Sequence, residues 1–203
     1  MTLVALLRHG PTAWNAEKRL QGMTDVPLSD AGRALVSTWT LPEQVAGWRW
    51  QCSPLARAVE TARLLPGGHD AIPEPALREM SFGAWEGRTL ADLRTQFGAE
   101  MQGNEARGLD LVPPGGESPR QVMDRLRPWA AALAAEGRDT VAVTHKGVIR
   151  VVLAMATGWE MKDRQPMRLD WQSLHLFRAR VDGTIAIERL NVALRPAAGA
   201  GAG

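Results

Sequence analysis

Two histidines, each directly after a short apolar segment, are the residues of this chain best suited to chemistry. His9 follows TLVALLR and stands between Arg8 and Gly10, and His145 follows TVAVT. Either histidine taken alone is as well explained by a structural role in a core. An imidazole beside a guanidinium also suits a phosphate ester, because the neutral ring is a nucleophile and the guanidinium binds phosphate oxygens in pairs.

Two further charged residues could complete such a site. Arg57 lies in the first turn of a helix that Ser53 and Pro54 are predicted to open, as N-cap and first helical residue. The N-terminus of a helix adds backbone donors for an anion. Glu79, in a loop rich in glycine and aromatic residues, is the best proton donor for a leaving oxygen, and Glu86 is a weaker rival. Each of these could also be an ordinary surface charge.

The pattern of apolar and turn residues predicts an α/β protein with one domain, 1–194, followed by a disordered tail, 195–203. Strands are predicted at 2–8, 48–53 and 139–145, with a short one within 70–75. Helices are predicted at 12–19, 30–39, 54–65, 89–97, 119–137 and 146–158. The final segment, 173–190, predicts two strands joined at Asp182-Gly183. We therefore expect a three-layer α/β/α sandwich with a mostly parallel central sheet and an antiparallel edge from the C-terminal hairpin.

This architecture has a consequence for the candidate residues. Ligands of such sheets bind at the carboxyl ends of the strands. His9 ends the first strand, Ser53 ends the second and His145 ends the third. We expect the three strand ends to meet in one crevice.

Composition narrows the partners. The net charge is only +2 over 203 residues, and no basic stripe is present, so no nucleic-acid partner is expected. No apolar run has the length of a membrane span, and no signal segment is visible, so we expect a cytoplasmic protein with no membrane partner. The single cysteine, Cys52, lies in an apolar run and is predicted to be a buried small hydrophobe in a reducing compartment. The expected partner is a small molecule, and among macromolecules a second copy of the chain, in a homodimer, is compatible with the composition.

Six segments occur in the order LLRHGPTAWN, LQGMTDVPLSDAG, SPLARAVETA, LREMSFGAWEG, PPGGES and VTHKGVIR. Together they resemble the histidine phosphatase superfamily, in the branch related to cofactor-dependent phosphoglycerate mutases. The resemblance implies that His9 becomes phosphorylated and that Glu79 acts as general acid and then as base. It implies that the phosphate and substrate contacts are Arg8, Asn15, Gln21, Gly22, Arg57 and His145. It also implies chemistry without a metal or another cofactor.

Departures from the family pattern favour hydrolysis. The mutases usually have an arginine directly after the acid glutamate and a tyrosine close by, whereas this chain has Met80 and no tyrosine. The segment between Glu79 and His145 is also short for a mutase. We therefore predict a phosphomonoesterase that acts on a small phosphorylated metabolite, with a phosphoglycerate mutase-type phosphotransferase as the alternative. The substrate stays open between alpha-ribazole phosphate, a sugar phosphate and a broad range.

The same residues are also compatible with two other classes of protein. His9, His145 and Glu79 could be ligands of a zinc hydrolase, although they lack a tight HxxxH or HxH spacing. A binding protein that has lost turnover is a further class. Two alternatives stay open for each of two further side chains. Lys146 either adds charge to the pocket or points to solvent, and Trp85 either lines the pocket or packs elsewhere.

Overall fold

A computed structural model of the protein describes residues 1–65 and 70–196. In this part of the chain the strands are β1 (Thr2–Arg8), β2 (Trp39–Thr40), β3 (Arg49–Cys52), β4 (Ile72–Pro73), β5 (Thr140–Thr144), β6 (Ser173–Ala179), β7 (Ile185–Ala193) and β8 (Arg195–Pro196). The α-helices are α1 (Ala13–Ala16), α2 (Asp30–Ser37), α3 (Ala56–Leu64), α4 (Leu90–Glu105), α5 (Pro119–Glu136) and α6 (Lys146–Thr157). Short 3-10 turns lie between them.

Six strands form the central sheet, in the order β4-β3-β5-β1-β6-β7. The first four are parallel to one another. Strand β6 pairs with β1 antiparallel, and β7 pairs with β6 antiparallel. The predicted mostly parallel sheet with an antiparallel C-terminal hairpin is confirmed. Strands β2 and β8 form a separate antiparallel pair.

Both faces of the sheet are covered, as the apolar character of its strands requires. Alternate residues of β1 belong to different apolar clusters: Val4 and Leu6 pack with residues of α5 and α6, and Ala5 and Leu7 pack with residues of α2 and α3. Burying one such valine or leucine contributes about 1.5–3 kcal/mol. Helices on both faces of one sheet give the predicted three layers, and they fix β1 firmly at its carboxyl end.

Several caps lie where the sequence predicted them. The Oγ of Ser29 accepts a hydrogen bond from the backbone N of Gly32 at 3.0 Å, at the start of α2. Ser118 and Gln121 form the predicted capping box of α5, which ends at Gly137 in the left-handed conformation. Cys52 is buried in β3, as predicted, and burial raises the pKa of its thiol.

Four predicted helices were wrong at an end. The first, predicted as 12–19, stops at Ala16, and Lys18 has a positive φ of 57° that no helix continues through. The second, predicted as 30–39, ends at Ser37, and Trp39 lies in β2.

The third predicted helix begins at Ala56 rather than at Pro54, and its N-cap is Leu55, which makes no side-chain cap hydrogen bond. The Ser53 Oγ accepts from the backbone N of Leu55 at 3.3 Å. The fourth continues to Glu105, but Gly98 breaks it (φ 47°, ψ −117°) one residue after the predicted end.

The C-terminal boundary differs in a small way from the prediction. Arg195–Pro196, the first two residues of the predicted tail, pair with β2. The rest of that predicted tail, 197–203, lies outside the described residues. Among the helices that the structure describes, none is long and apolar enough to cross a membrane.

Candidate active site

The carboxyl ends of three neighbouring strands bring the candidate residues together. The backbone N of His9, after β1, donates to the carbonyl of Thr144 at 2.9 Å, and that of Ser53, after β3, donates to Val143 at 2.8 Å. The ring centroids of His9 and His145 are 5.1 Å apart. The expected convergence of the three strand ends is confirmed.

His9 is held in one tautomer. Its Nδ1 lies 2.7 Å from the carbonyl oxygen of Gly10. Because a carbonyl only accepts, Nδ1 carries the proton and Nε2 presents a lone pair. Burial, and next the positive charges of Arg8 and Arg57, lower the pKa of His9 well below 6.5. The ring is therefore neutral at pH 7, with the electronic form of a nucleophile.

His145 is anchored by a residue whose role the sequence did not reveal. Its Nε2 lies 2.7 Å from the Oγ of Ser53, and both side chains are buried. The Nδ1 of His145 is buried and has no partner among the residues described. Burial, and next the electrostatic coupling to the neighbouring His9, lower the pKa of His145 well below 6.5. The sequence predicts Ser53 as a helix cap, and the available signal for the second role was its position at the end of a strand, next to the strand that His145 follows.

Arg8 presents an uncommitted guanidinium. Its Nε is buried without a hydrogen-bond partner, and within the described residues Arg8 forms no ion pair. Its Cζ lies 5.7 Å from the ring centroid of Trp171. Burial lowers its pKa and the charge of Glu79 opposes this effect, but a guanidinium stays protonated at neutral pH. An anion is the partner that this arrangement lacks.

Arg57 is fully buried, and its guanidinium binds the backbone of a neighbouring loop. Its Nη1 donates to the carbonyl of Thr24 at 2.9 Å, and its Nη2 donates to that of Gly22 at 2.7 Å. Its Nε has no partner in the described structure. Gln21, beside Gly22, is also buried, with an unpartnered Oε1. Arg57 therefore ties the 21–24 loop to the same side of the sheet as the histidines.

Glu86 is an anchor rather than a rival acid. Its Oε1 accepts hydrogen bonds from the backbone N of Met23 at 2.9 Å and of Phe82 at 3.1 Å. Its Oε2 accepts from the backbone N of Thr24 at 2.9 Å and from the Thr24 Oγ1 at 2.5 Å. Four hydrogen bonds use its carboxylate to join two loops.

Glu79 is buried among the charges of the site. Its Oε1 accepts from the backbone N of Met80 at 2.9 Å, and its Oε2 accepts from that of Gly147 at 3.2 Å. Its negative charge acts on both Arg8 and Arg57. Each carboxylate oxygen keeps a lone pair beyond these bonds, so a substrate oxygen can be its partner.

The segment that carries Glu79 is fastened by Arg125 of α5, which the sequence did not single out. Its Nη2 donates to the carbonyl of Arg78 at 2.7 Å and to that of Glu79 at 3.3 Å. Its Nη1 donates to the carbonyl of Ala76. Backbone hydrogen bonds from one guanidinium thus fix the approach of the chain to Glu79.

The side-chain oxygen of Asn15 is used in the cap of helix α1. Its Oδ1 accepts from the backbone N of Thr12 at 3.0 Å and from the Thr12 Oγ1 at 3.2 Å, in the capping box of α1. Its Nδ2 has no hydrogen-bond partner among the described residues. The expected contact with a phosphoryl group stays a prediction, and Nδ2 is the end of the amide that would make it.

The structure decides between the alternative roles of Trp85 and of Lys146. Trp85 is buried in a small apolar cluster with Leu93 and Met101. The aromatic ring beside the candidate phosphate site is instead that of Trp171, which the sequence missed. The Nζ of Lys146 lies 5.3 Å from the centroid of Trp171, so this side chain borders the site rather than pointing away from it.

The arrangement of His9, His145 and Glu79 does not fit the zinc site that was the alternative interpretation of these residues. Across the described ranges, no group of three or more histidine, cysteine, aspartate or glutamate side chains is placed to hold a metal ion. The Nδ1 of His9 and both oxygens of Glu79 are engaged by the backbone.

Solved structures of similar fold include phosphatases. The chain aligns with the mycobacterial glucosyl-3-phosphoglycerate phosphatase at a TM-score of 0.79 and 25% identity, over 95% of this chain and 100% of that one. It aligns equally with the alpha-ribazole phosphatase of Shigella flexneri, at a TM-score of 0.79 and 25% identity over 96% and 98% of the two chains.

Sequence relatives include mutases. The chain is 30% identical to a 2,3-bisphosphoglycerate-dependent phosphoglycerate mutase 2 of Gloeobacter violaceus, over 92% of this chain and 90% of the relative. It is 32% identical to a phosphoglycerate mutase-like protein 4 of Arabidopsis thaliana, over 72% and 67%. The family model of the histidine phosphatase superfamily (branch 1) matches residues 4–193. With that match and with two histidines and two arginines gathered at one sheet edge, the chain belongs to the histidine phosphatase superfamily, branch 1.

Proposed function

We propose that the protein is a phosphomonoesterase that hydrolyses a small phosphorylated metabolite through a phosphohistidine on His9. The observation that carries the proposal is the state of this side chain: buried, neutral, with Nδ1 bonded to Gly10 and Nε2 free. The guanidiniums of Arg8 and Arg57, whose charges both act on His9, supply positive charge to the phosphoryl group being transferred.

In the first step, the Nε2 lone pair attacks phosphorus and the bond from phosphorus to the ester oxygen breaks. Glu79, protonated for this step, gives its proton to the departing oxygen, so an alcohol leaves. In the second step, the Glu79 carboxylate takes a proton from water while the water oxygen bonds to phosphorus. The bond from phosphorus to Nε2 breaks, free phosphate leaves, and His9 and the Glu79 acid are restored.

The remaining side chains hold the phosphate oxygens. Arg8, Arg57 and His145 form the clamp. Each has a buried nitrogen without a partner in the described residues: Nε of Arg8, Nε of Arg57 and Nδ1 of His145. Asn15 contributes its Nδ2, and the loop at Gln21 and Gly22 closes the site. The guanidiniums supply the charge that a metal supplies elsewhere, so the reaction proceeds without one.

A phosphoglycerate mutase-type phosphotransferase is the second candidate, and the names of the sequence relatives favour it. It shares the first step and differs in the acceptor of the phosphoryl group. Two features support water as the acceptor. The residue after Glu79 is the buried, uncharged Met80, and the chain contains no tyrosine, so the usual residues for a substrate carboxylate are missing from that side.

One experiment tests both steps. The protein is incubated with p-nitrophenyl phosphate in EDTA and quenched in alkali, and the phosphorylated residue is located by mass spectrometry. We expect label on His9, none in the His9→Ala variant, and retained label in a matched control, His175→Gln. Unlabelled His9 with continued turnover would remove the intermediate from the proposal. With 3-phosphoglycerate, free phosphate supports hydrolysis, whereas 2-phosphoglycerate without phosphate supports the mutase.

A further inference from the structure

A cavity of about 660 Å³ opens beside the candidate phosphate site, and nothing in the proposed mechanism uses it. Its wall includes Lys146 and Arg150 of α6, Arg168, and Trp171. This volume is in the range of small-molecule pockets in proteins.

The cavity is positively charged. Within the described part of the chain, Lys146, Arg150 and Arg168 form no ion pair. Asp170 also lines the cavity, but its Oδ1 accepts from the backbone N of Gln172 at 3.1 Å and its Oδ2 from the Ser173 Oγ at 3.0 Å. Three cations therefore line the cavity with one carboxylate that is already hydrogen-bonded. The charge of Glu79 also acts on two of them, Lys146 and Arg150.

Like charges oppose one another here. Burial, and then the charges of Arg8 and Arg150, lower the pKa of Lys146, and the charge of Glu79 opposes this effect only in part. A bound anion would relieve this repulsion, whereas a neutral ligand would not. Arg150 is restrained by the face of Trp159, with its Cζ 5.2 Å from the ring centroid, so its position is fixed before a ligand arrives.

One aromatic ring joins the cavity to the reacting centre. The centroid of Trp171 is 5.7 Å from the Cζ of Arg8 and 5.3 Å from the Nζ of Lys146. Helix α6 starts directly after His145, and Lys146 and Arg150 lie one turn apart on it. A ligand with its phosphate at His9 can thus extend past Trp171 toward these cations.

We propose that this cavity is a second anion subsite, which binds a carboxylate or second phosphate on the same phosphomonoester whose reacting phosphate lies at His9. The proposal rests on the proposed function and narrows its substrate class to metabolites with two acidic groups. Lys146 and Arg150 bind the second group, Arg168 adds charge at the rim, and Trp171 packs against the part of the substrate between the two anions.

Two matched pairs of probes test the subsite. 3-Phosphoglycerate is compared with glycerol 3-phosphate, and glucose 1,6-bisphosphate with glucose 6-phosphate, by kcat/KM for phosphate release. The pairs differ in span and in whether the second group is a carboxylate or a phosphate. The variants are Lys146→Gln and, as a second exposed cation of the cavity, Arg168→Gln. Arg138→Gln is the control, because it removes the same charge from an exposed position just before β5, at the opposite end of the sheet.

We expect the diacidic member of at least one pair to be preferred by about 10-fold or more, the effect of one charged hydrogen bond. Lys146→Gln should lower this preference about 10-fold, and Arg138→Gln should leave it unchanged. Equal kcat/KM within both pairs, or a preference that survives in both cavity variants, would overturn the subsite. In that case continued hydrolysis of p-nitrophenyl phosphate would still support the proposed function. If the protein releases no phosphate from any ester, the proposed function fails, and dissociation constants for the same pairs, measured by calorimetry, decide on the subsite.

Discussion

Glu79 and Gly147 are in direct contact: the backbone N of Gly147 donates to Oε2 of Glu79 at 3.2 Å. A Cβ added at residue 147 would lie 2.3 Å from Oε1 of the same carboxylate, closer than real Cβ atoms approach. The second residue of α6 must therefore be a glycine for the carboxylate to lie where it does. Since His145 directly precedes α6, one helix start positions both the proposed acid and a histidine of the proposed clamp.

Gly147→Ala should therefore lower kcat by about 100-fold, the contribution of one general acid, because the methyl group displaces Glu79. Steady-state kinetics with an alkyl phosphate measure it. Gly103→Ala is the matched control, since an added Cβ there meets no atom within 4 Å, and it should keep full activity. Wild-type kcat in a folded Gly147→Ala protein would mean that the position of Glu79 does not limit the reaction.

Glu79→Gln should produce a loss that depends on the leaving group. An amide cannot donate a proton as a carboxylic acid does, so hydrolysis of alkyl phosphates should slow by about 100-fold or more. The step that phosphorylates His9 from p-nitrophenyl phosphate should slow much less, because nitrophenolate leaves without a proton. Rapid-quench measurement of that step separates it from the later attack of water. Equal losses with both substrates would assign Glu79 a role other than acid catalysis.

Ser53→Ala should leave Nε2 of His145 buried without its partner at 2.7 Å. An unsatisfied buried polar group costs about 1–3 kcal/mol of folding free energy. The freed ring should also clamp phosphate less well and lower kcat/KM by about 10-fold. Urea unfolding and phosphate-release kinetics measure the two effects. Ser37→Ala, on the exposed end of α2, is the control, and a Ser53→Ala protein that behaves like it would show that His145 needs no anchor.

The sequence correctly predicted which residues lie close together because they directly follow neighbouring strands. His9 and His145 each follow a continuous apolar strand, and parallel neighbours must bring such residues to one edge of the sheet. The approach of His9 to His145 and the fold class could be predicted for this reason, whereas phosphate binding by these residues stays a prediction. Glu79 was expected beside these groups, and its charge does act on Arg8 and Arg57. Its role as general acid stays a prediction.

What the sequence did not reveal depends on contacts between distant loops. Glu86 and Glu79 lie in one loop and are the same residue type, and only the four donors around Glu86 show that it is an anchor. Trp171 was overlooked because no local pattern links it to Arg8, which is far away in the chain. Ser53 fitted a helix cap by spacing, and its Oγ does accept from the backbone N of Leu55 at 3.3 Å, but it also contacts the imidazole of His145 at 2.7 Å, which no spacing reveals.

His175 gives a prediction on acid stability that does not involve catalysis. It lies on β6, and burial lowers its pKa to about 4 from 6.5. Since the unfolded chain takes up this proton near pH 6.5 and the folded protein does not, the contribution to stability is fully present above pH 6.5 and is lost as the pH falls toward 4. At about 1.4 kcal/mol per pKa unit, the loss is about 3 kcal/mol.

The His175→Gln variant should therefore lose about 3 kcal/mol less folding free energy than the wild type between pH 6.5 and pH 4. The glutamine does not titrate, and its carbonyl can replace Nδ1 as acceptor for the backbone N of Asn191, now at 3.3 Å. The wild type and the variant share the same acid loss from His9 and His145, whose pKa values are lowered in the same direction. Urea unfolding at several pH values measures the difference in slope. Parallel pH profiles for the two proteins would show that His175 titrates alike in the folded and unfolded chain.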